Sequence, residues 1–325
     1  MTRSPATAPD QTDTPAAESA GVLYRVLSLD GGGAKGFYTL GVLRELEAMV
    51  GRPLHEHFNL IFGTSTGAII AALLALGNSV DTVHQLYEGH VPTVMRARSR
   101  ARKSAALAQL ANEVFGDRHF DDARTGVGIV ATRWVSERPM IFKADPAQSH
   151  GRTATFVPGF GVRLSDAIQA SCSAFPFFDR KTITTAAGDR VELIDGGYCA
   201  NNPTLYALAD AVVALRNPPS QVRVINVGVG EYPAPKPRTL AMWFARKLLT
   251  AQLLQKTLEI NTQSMEQLRS LLFRDVRTIR ISDAFTQPEM ATDLMEHDLR
   301  KLNVIHQRGA ESFGARESEI RELML

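Results

Sequence analysis

Serine stands between two glycines in the segment Gly63-Thr64-Ser65-Thr66-Gly67, with an apolar strand-like run before it and a helix-like run, Ala68 to Leu76, after it. A serine hydroxyl attacks a carbonyl only when a base takes its proton and fixed donors receive the developing oxyanion. At a strand-to-helix turn, Gly63 and Gly67 would let the backbone bend tightly and lift Ser65 out at the C-terminal edge of a sheet. Donors are offered by Gly31-Gly32-Gly33, which follow Asp30 at the end of the β-rich run VLYRVLSL. Three glycines beside a helix start leave backbone N–H groups free where the helix dipole also favours negative charge. A base is offered by Asp195, which ends the run VELID and is followed by Gly196-Gly197. An aspartate capping the turn before a helix near Pro203 is the plainer alternative for that residue.

Two rival chemistries use the same residues. Gly31-x-Gly33-x-x-Gly36 fits a dinucleotide fingerprint, but that site expects an acid at the end of the second strand, where NLIFG offers only Gly63. A Ser-Asp-His triad could draw on His297 or His306, both in polar helix-like sequence that reads as surface.

The elements that must position these groups follow from hydrophobic spacing. Strand, glycine loop and helix occupy residues 22 to 50, and the same unit recurs over 58 to 76, which argues for a parallel sheet. GVGIVATRW and RPMIFKA read as neighbouring strands, residues 164–172 and 203–215 as helices, 221–230 as a buried strand and VRTIRI as a final strand. The most economical fold is a three-layer α/β/α domain with a mostly parallel central sheet and helical additions. Residues 1–20 are expected to be a disordered tail and 21–325 one domain, with the chemistry in 22–203 and a helical part from about residue 239.

A formal charge of +2 implies no DNA or RNA partner. Cys172 and Cys199 have neither metal-ligand spacing nor a disulfide framework, which suits a reducing cytoplasm. No metal is implied. No apolar run approaches the ~20 residues of a transmembrane helix, and the N-terminus lacks the apolar centre of a signal peptide. Arg96, Arg98, Arg100, Arg102 and Lys103 form a basic cluster that reads either as a solvated loop or as a site for anionic headgroups or an anionic small molecule. Around Leu240, Trp243 and Phe244 alternate with Arg246 and Lys247 at helical spacing, as in an interfacial helix. Leu248, Leu249, Leu253 and Leu254 extend that apolar face, which favours a packed helix or a contact between copies of the chain.

DGGGAKG, GTSTG, ASCSAFPFF and DGGYCANNP, in that order, resemble the patatin-like phospholipase family over about Val22 to Pro203. The resemblance implies a patatin-like fold and a serine lipid acyl hydrolase that cleaves ester bonds of membrane glycerophospholipids at the bilayer surface, with no cofactor. It assigns Ser65 as nucleophile, Asp195 as general base and Gly31, Gly32 and Gly33 as the oxyanion hole. Gly63, Gly67, Gly196 and Gly197 support the two catalytic turns. The family often has arginine at Lys35, and lysine lacks arginine's bidentate fork, so Lys35 reads as a loop support, a partner for lipid phosphate, or a solvated helix-start residue. Some bacterial members of similar size that open with VLSLDGGG are anti-phage effectors in which a cyclic oligonucleotide switches on phospholipid degradation. The resemblance permits that role, with such an activator and peripheral membrane association as its corollaries. A housekeeping lipase would carry the same motifs, and a lipid-binding scaffold on an inactive version of the fold is a further alternative.

Overall fold

The computed structural model describes residues 22–235 and 249–325, with side chains described from 253 onward in the second span. The expected disordered tail and the Trp243-Phe244 stretch with Arg246 and Lys247 lie outside the described residues. In chain order the elements begin with β1 (Tyr24–Leu29), α1 (Gly36–Val50), α2 (Leu54–His57), β2 (Leu60–Thr64), α3 (Thr66–Ala75), α4 (Val80–Arg96) and α5 (Arg100–Phe115). Then come β3 (Gly126–Arg133), β4 (Arg138–Lys143), α6 (Leu164–Ser171), β5 (Lys181–Thr184), β6 (Arg190–Asp195), α7 (Gly197–Ala200) and α8 (Thr204–Leu208). A π-helical stretch, Ala209–Ala214, continues α8, and β7 (Val222–Val227), α9 (Leu249–Leu272), β8 (Arg277–Ile281), α10 (Leu299–Gly314) and α11 (Glu317–Met324) complete the described chain.

Strand residues alternate between two cores, as the period of two demands. Leu27, Leu29, Ile61, Ile225 and Val227 pack with apolar residues of α1, α3, α4 and α10. Val26, Leu60, Phe62, Val222 and Val224 face the opposite way, against Ala207, Leu208 and Ala211 of the α8 region and Met265 of α9. Three layers result. Every residue of α3 is buried, which is why its sequence is apolar on all sides rather than striped.

Among the described residues the sheet has eight strands and is mixed. β3, β2, β1, β7 and β8 are parallel neighbours, whereas β4 and β6 pair with β3, and β5 with β6, in antiparallel sense. The parallel expectation therefore describes one side of the sheet, and the four-residue β5, too short to show a pattern, has no counterpart in the sequence reading. One detail of register positions the chemistry. β4 pairs with residues 128–133 of β3, so β2 and β6 must share the other edge. β2 leaves that edge at Thr64↔Val130 and β6 takes it up at Asp195↔Ala131. The two strand ends meet head to head.

Candidate active site

At this junction Ser65 adopts φ 52 and ψ −120 between β2 and α3. A positive φ at a residue other than glycine costs of order 1–3 kcal/mol and persists only where its surroundings fix it. The Ser65 N–H donates to Ser171 Oγ at 2.9 Å, and that hydroxyl donates in turn to the Val130 carbonyl at 2.6 Å. Thr64 Oγ1 donates to the Ala200 carbonyl at 2.7 Å, and the Tyr87 hydroxyl to the Thr66 carbonyl at 2.7 Å. The flanking glycines are required by space: a Cβ on Gly63 would lie 2.2 Å from the Gly67 carbonyl oxygen, and one on Gly67 2.3 Å from that of Leu29.

Ser65 Oγ donates to Asp195 Oδ2 at 2.7 Å. The other carboxylate oxygen accepts the Gly197 N–H at 2.7 Å, while the Asp195 backbone is held by the Ser173 carbonyl and by Thr132 Oγ1. Asp195 is 2% exposed. Burial pushes its carboxyl up to about 6, against the pull of the Gly197 and Ser65 hydrogen bonds. A carboxylate more basic than in water, already bonded to the hydroxyl, is suited to take its proton.

The glycine loop runs beside this pair. Asp30 anchors it from below, through Arg280 at 2.7 Å and Asn226 at 2.9 Å. Asn201 clamps it from the side: its carbonyl accepts the Gly31 N–H at 2.9 Å and its amide donates to the Gly31 carbonyl at 3.2 Å. The Gly31 N–H is thereby spoken for, which corrects its expected place in an oxyanion hole. The Gly32 and Gly33 N–H groups have no hydrogen-bond partner among the described residues, and both glycines line one cavity with Ser65 and Asp195. Gly33 sits at φ 58 with the Leu294 carbonyl oxygen 2.4 Å from where a Cβ would stand, so no other residue fits.

That cavity, of about 60 Å³, is almost wholly apolar, bounded by Val91 and Met95 of α4, Leu107 and Leu110 of α5, Phe177, and Leu254 and Leu258 of α9. Lys35 departs from the solvated alternative. It is buried, its Nζ stands 6.0 Å from the Tyr232 ring centre, and burial lowers the pKa of its ammonium. It lines a second cavity, of about 610 Å³, on the other side of Gly32 and Asn201. Gly36, the last glycine of the dinucleotide fingerprint, serves packing instead, since a Cβ there would press on Thr66 Oγ1 at 2.6 Å.

Neither histidine completes a triad. His306 stacks on His84 with ring centres 4.2 Å apart, His297 Nδ1 lies 3.3 Å from the Met295 carbonyl, and no histidine among the described residues lines the cavity. Among the described residues no cluster of His, Cys, Asp and Glu could hold a metal ion. Sequence reasoning missed Ser171, Asn201, Asn226 and Arg280. The first two lie inside the quoted segments ASCSAFPFF and DGGYCANNP, whereas Arg280 carries no local signal at all.

Ser171→Ala tests the support of the turn. It strips the Ser65 N–H and the Val130 carbonyl of one partner each, so a loss of about 1–3 kcal/mol in thermal or urea unfolding is expected. A misplaced nucleophile should lower kcat by about 10- to 100-fold with KM little changed. An unchanged kcat would show that Ser171 does not position Ser65.

A family model described as patatin-like phospholipase matches residues 27–208, the span that contains all four quoted segments. The chain is 67% identical over 303 residues, 93% of its length and 94% of the relative's, to a cUMP-AMP-activated phospholipase of Escherichia coli. It is 31% identical over 219 residues to a cGAMP-activated phospholipase of Pseudomonas aeruginosa, covering 63% of this chain and 62% of that one. The crystal structure of VipD from Legionella pneumophila superposes with a TM-score of 0.45 at 12% identity, over 91% of this chain and 67% of the other.

Proposed function

The chain belongs to the patatin-like phospholipase family, and from that premise we propose that it hydrolyses acyl esters of membrane glycerophospholipids with Ser65 and Asp195, under the control of a cyclic dinucleotide. The observation that carries the chemistry is the 2.7 Å hydrogen bond between Ser65 Oγ and Asp195 Oδ2 beside the unpartnered Gly32 and Gly33 N–H groups. Ser65 Oγ attacks the ester carbonyl carbon as its proton passes to Asp195. The two glycine N–H groups receive the carbonyl oxygen as it gains charge. Asp195 then gives the proton to the departing lysophospholipid oxygen, leaving Ser65 acylated. In the second half Asp195 takes a proton from water, whose oxygen attacks the acyl carbon, and returns it to Ser65 Oγ as the fatty acid leaves.

The surroundings suit a lipid surface. Val94, Met95, Leu107 and Leu110 bound the apolar cavity at the corner where α4 meets α5, and Arg96, Arg98 and Arg102 are exposed on that same corner. Each basic residue near an anionic bilayer contributes about 1 kcal/mol of attraction. Arg100 pairs instead with Asp179 at 2.6 Å, and Lys103 turns inward to the Met95 carbonyl. No helix among the described residues is long and apolar enough to cross a membrane, so peripheral binding is the mode proposed. Leu253, Ile260, Leu268 and Leu271 form an exposed stripe along α9, which supports contact with a second copy of the chain.

Control by a cyclic dinucleotide is taken from the names of the two relatives, and the anti-phage role permitted by the sequence resemblance depends on it. The test is mass spectrometry of phosphatidylethanolamine–phosphatidylglycerol vesicles incubated with the protein and a panel of cyclic dinucleotides. Free fatty acid and lysophospholipid should appear at least about tenfold faster with cUMP-AMP than without, an effective switch of about 1.4 kcal/mol or more. No acyl release under any condition would end the hydrolase reading. Equal release with and without nucleotides would leave the hydrolase and remove the switch.

A further inference from the structure

At the antiparallel end of the sheet a cleft of about 860 Å³ opens between β4, the loop of residues 146–160, the β5–β6 turn and the start of the π-helical stretch. It shares no residue with the catalytic cavity, and its size lies within the range of about 300–1,000 Å³ usual for small-molecule sites. Its one deeply buried carboxylate, Asp210, is already engaged by Lys143 at 2.5 Å, His150 at 2.8 Å and Gln148 at 3.0 Å. Two guanidinium groups on its wall, Arg133 and Arg152, form no ion pair among the described residues. Arg133 Nε and Ser149 Oγ are buried there without a hydrogen-bond partner. Buried donors are almost always satisfied, so two orphans lining one cleft point to an absent acceptor. Phe156 and Tyr206 add flat apolar faces.

Uncommitted arginines suit phosphodiesters, and aromatic faces suit bases. The 610 Å³ cavity beside the glycine loop is a poorer match: Arg280 is tied to Asp30, and Lys35 shares the remaining lining with Glu231 and Glu259. We propose that the cleft of Arg133 and Arg152 binds the cyclic dinucleotide activator, with its phosphodiesters on the two arginines and its bases against Phe156 and Tyr206. The assignment rests on the reading of this chain as a nucleotide-switched hydrolase.

The cleft is also joined to the chemistry. Val191 on its wall belongs to β6, four positions before Asp195, and Arg133 pairs in register with Leu193. Tyr206 follows the Asp195–Pro203 segment on its other side. A ligand in the cleft therefore contacts the chain on both sides of the catalytic aspartate.

Isothermal titration of cUMP-AMP into the full chain should show binding weakened at least about tenfold in Arg133→Gln/Arg152→Gln, with fluorophosphonate labelling of Ser65 in the absence of nucleotide unchanged. In the unmodified protein, cUMP-AMP should slow hydrogen exchange over residues 138–143 and 184–191. Parent-strength binding by the double variant, or protection confined to residues 255–267, overturns this site and leaves the switch standing. An unmodified protein that binds no cyclic dinucleotide and hydrolyses lipid without one overturns both.

Discussion

Ser65→Ala is expected to release fatty acid from phospholipid vesicles at least about 10⁴-fold more slowly than the parent, the scale set by nucleophile deletions in serine hydrolases. Fluorophosphonate labelling should vanish with it. The loss is chemical rather than structural, because alanine fits the space and the turn is held through backbone and neighbouring groups: Ser171 on the Ser65 N–H, Tyr87 on the Thr66 carbonyl and Thr64 on Ala200. What the variant does lose is one of the two hydrogen bonds that hold the Asp195 carboxyl down. Its pKa should therefore climb above about 6, measurable by carboxylate infrared titration of the labelled aspartate. A Ser65→Ala protein that retains more than about a hundredth of parental activity would remove Ser65 from the reaction.

Asp195→Asn should cost about 10³- to 10⁴-fold in kcat, since the amide oxygen can accept the Gly197 N–H but the amide then turns an NH2 donor toward Ser65 Oγ and cannot take its proton. Its second effect has the opposite sign. Burial raises the folded carboxyl from 3.8 to about 6, so between those values the folded state holds a proton that the unfolded chain releases. The carboxyl's favourable contribution is complete below 3.8 and is lost as pH rises through about 6. At pH 8 the asparagine variant should be the more stable protein, by about 1–3 kcal/mol, with the gain disappearing near pH 4. Parental kcat follows the reverse course, rising through about pH 6 as the base ionises. Paired urea denaturations at the two pH values, together with a pH–rate profile, check all three. Equal stability of the two proteins at pH 8 would show that Asp195 is not held at a cost.

The Ser65–Asp195 pairing was legible because its demands are local. A nucleophile at a tight turn needs small neighbours within two residues, and Gly63 and Gly67 supply them in a spacing any reader of the chain can see. The glycine loop was legible for the same reason, but the distribution of its donors was not. Whether Gly31 keeps a free N–H depends on Asn201, 170 residues away in the chain, and nothing near Gly31 announces that partner. Lys35 illustrates the same limit, since a lysine at a helix start reads equally as a loop support, a phosphate partner or a solvated residue until its burial near Tyr232 is seen. The parallel half of the sheet follows from two repeated strand-turn-helix units, whereas the antiparallel half depends on which edge of β3 remains open once β2 has ended.

That divided edge makes the meeting of Ser65 with Asp195 a clock for the assembly of the sheet. β2 can dock on β3 and α3 can form while Ser65 still lacks its partner, because Asp195 arrives on a strand 130 residues later, at the one place β2 leaves vacant. A displacement of β6 by a single residue would turn its carboxylate to the opposite side of the sheet. Covalent capture by a fluorophosphonate during refolding from urea should thus lag the return of helical dichroism, and the interval between them measures how long the closing of β6 takes.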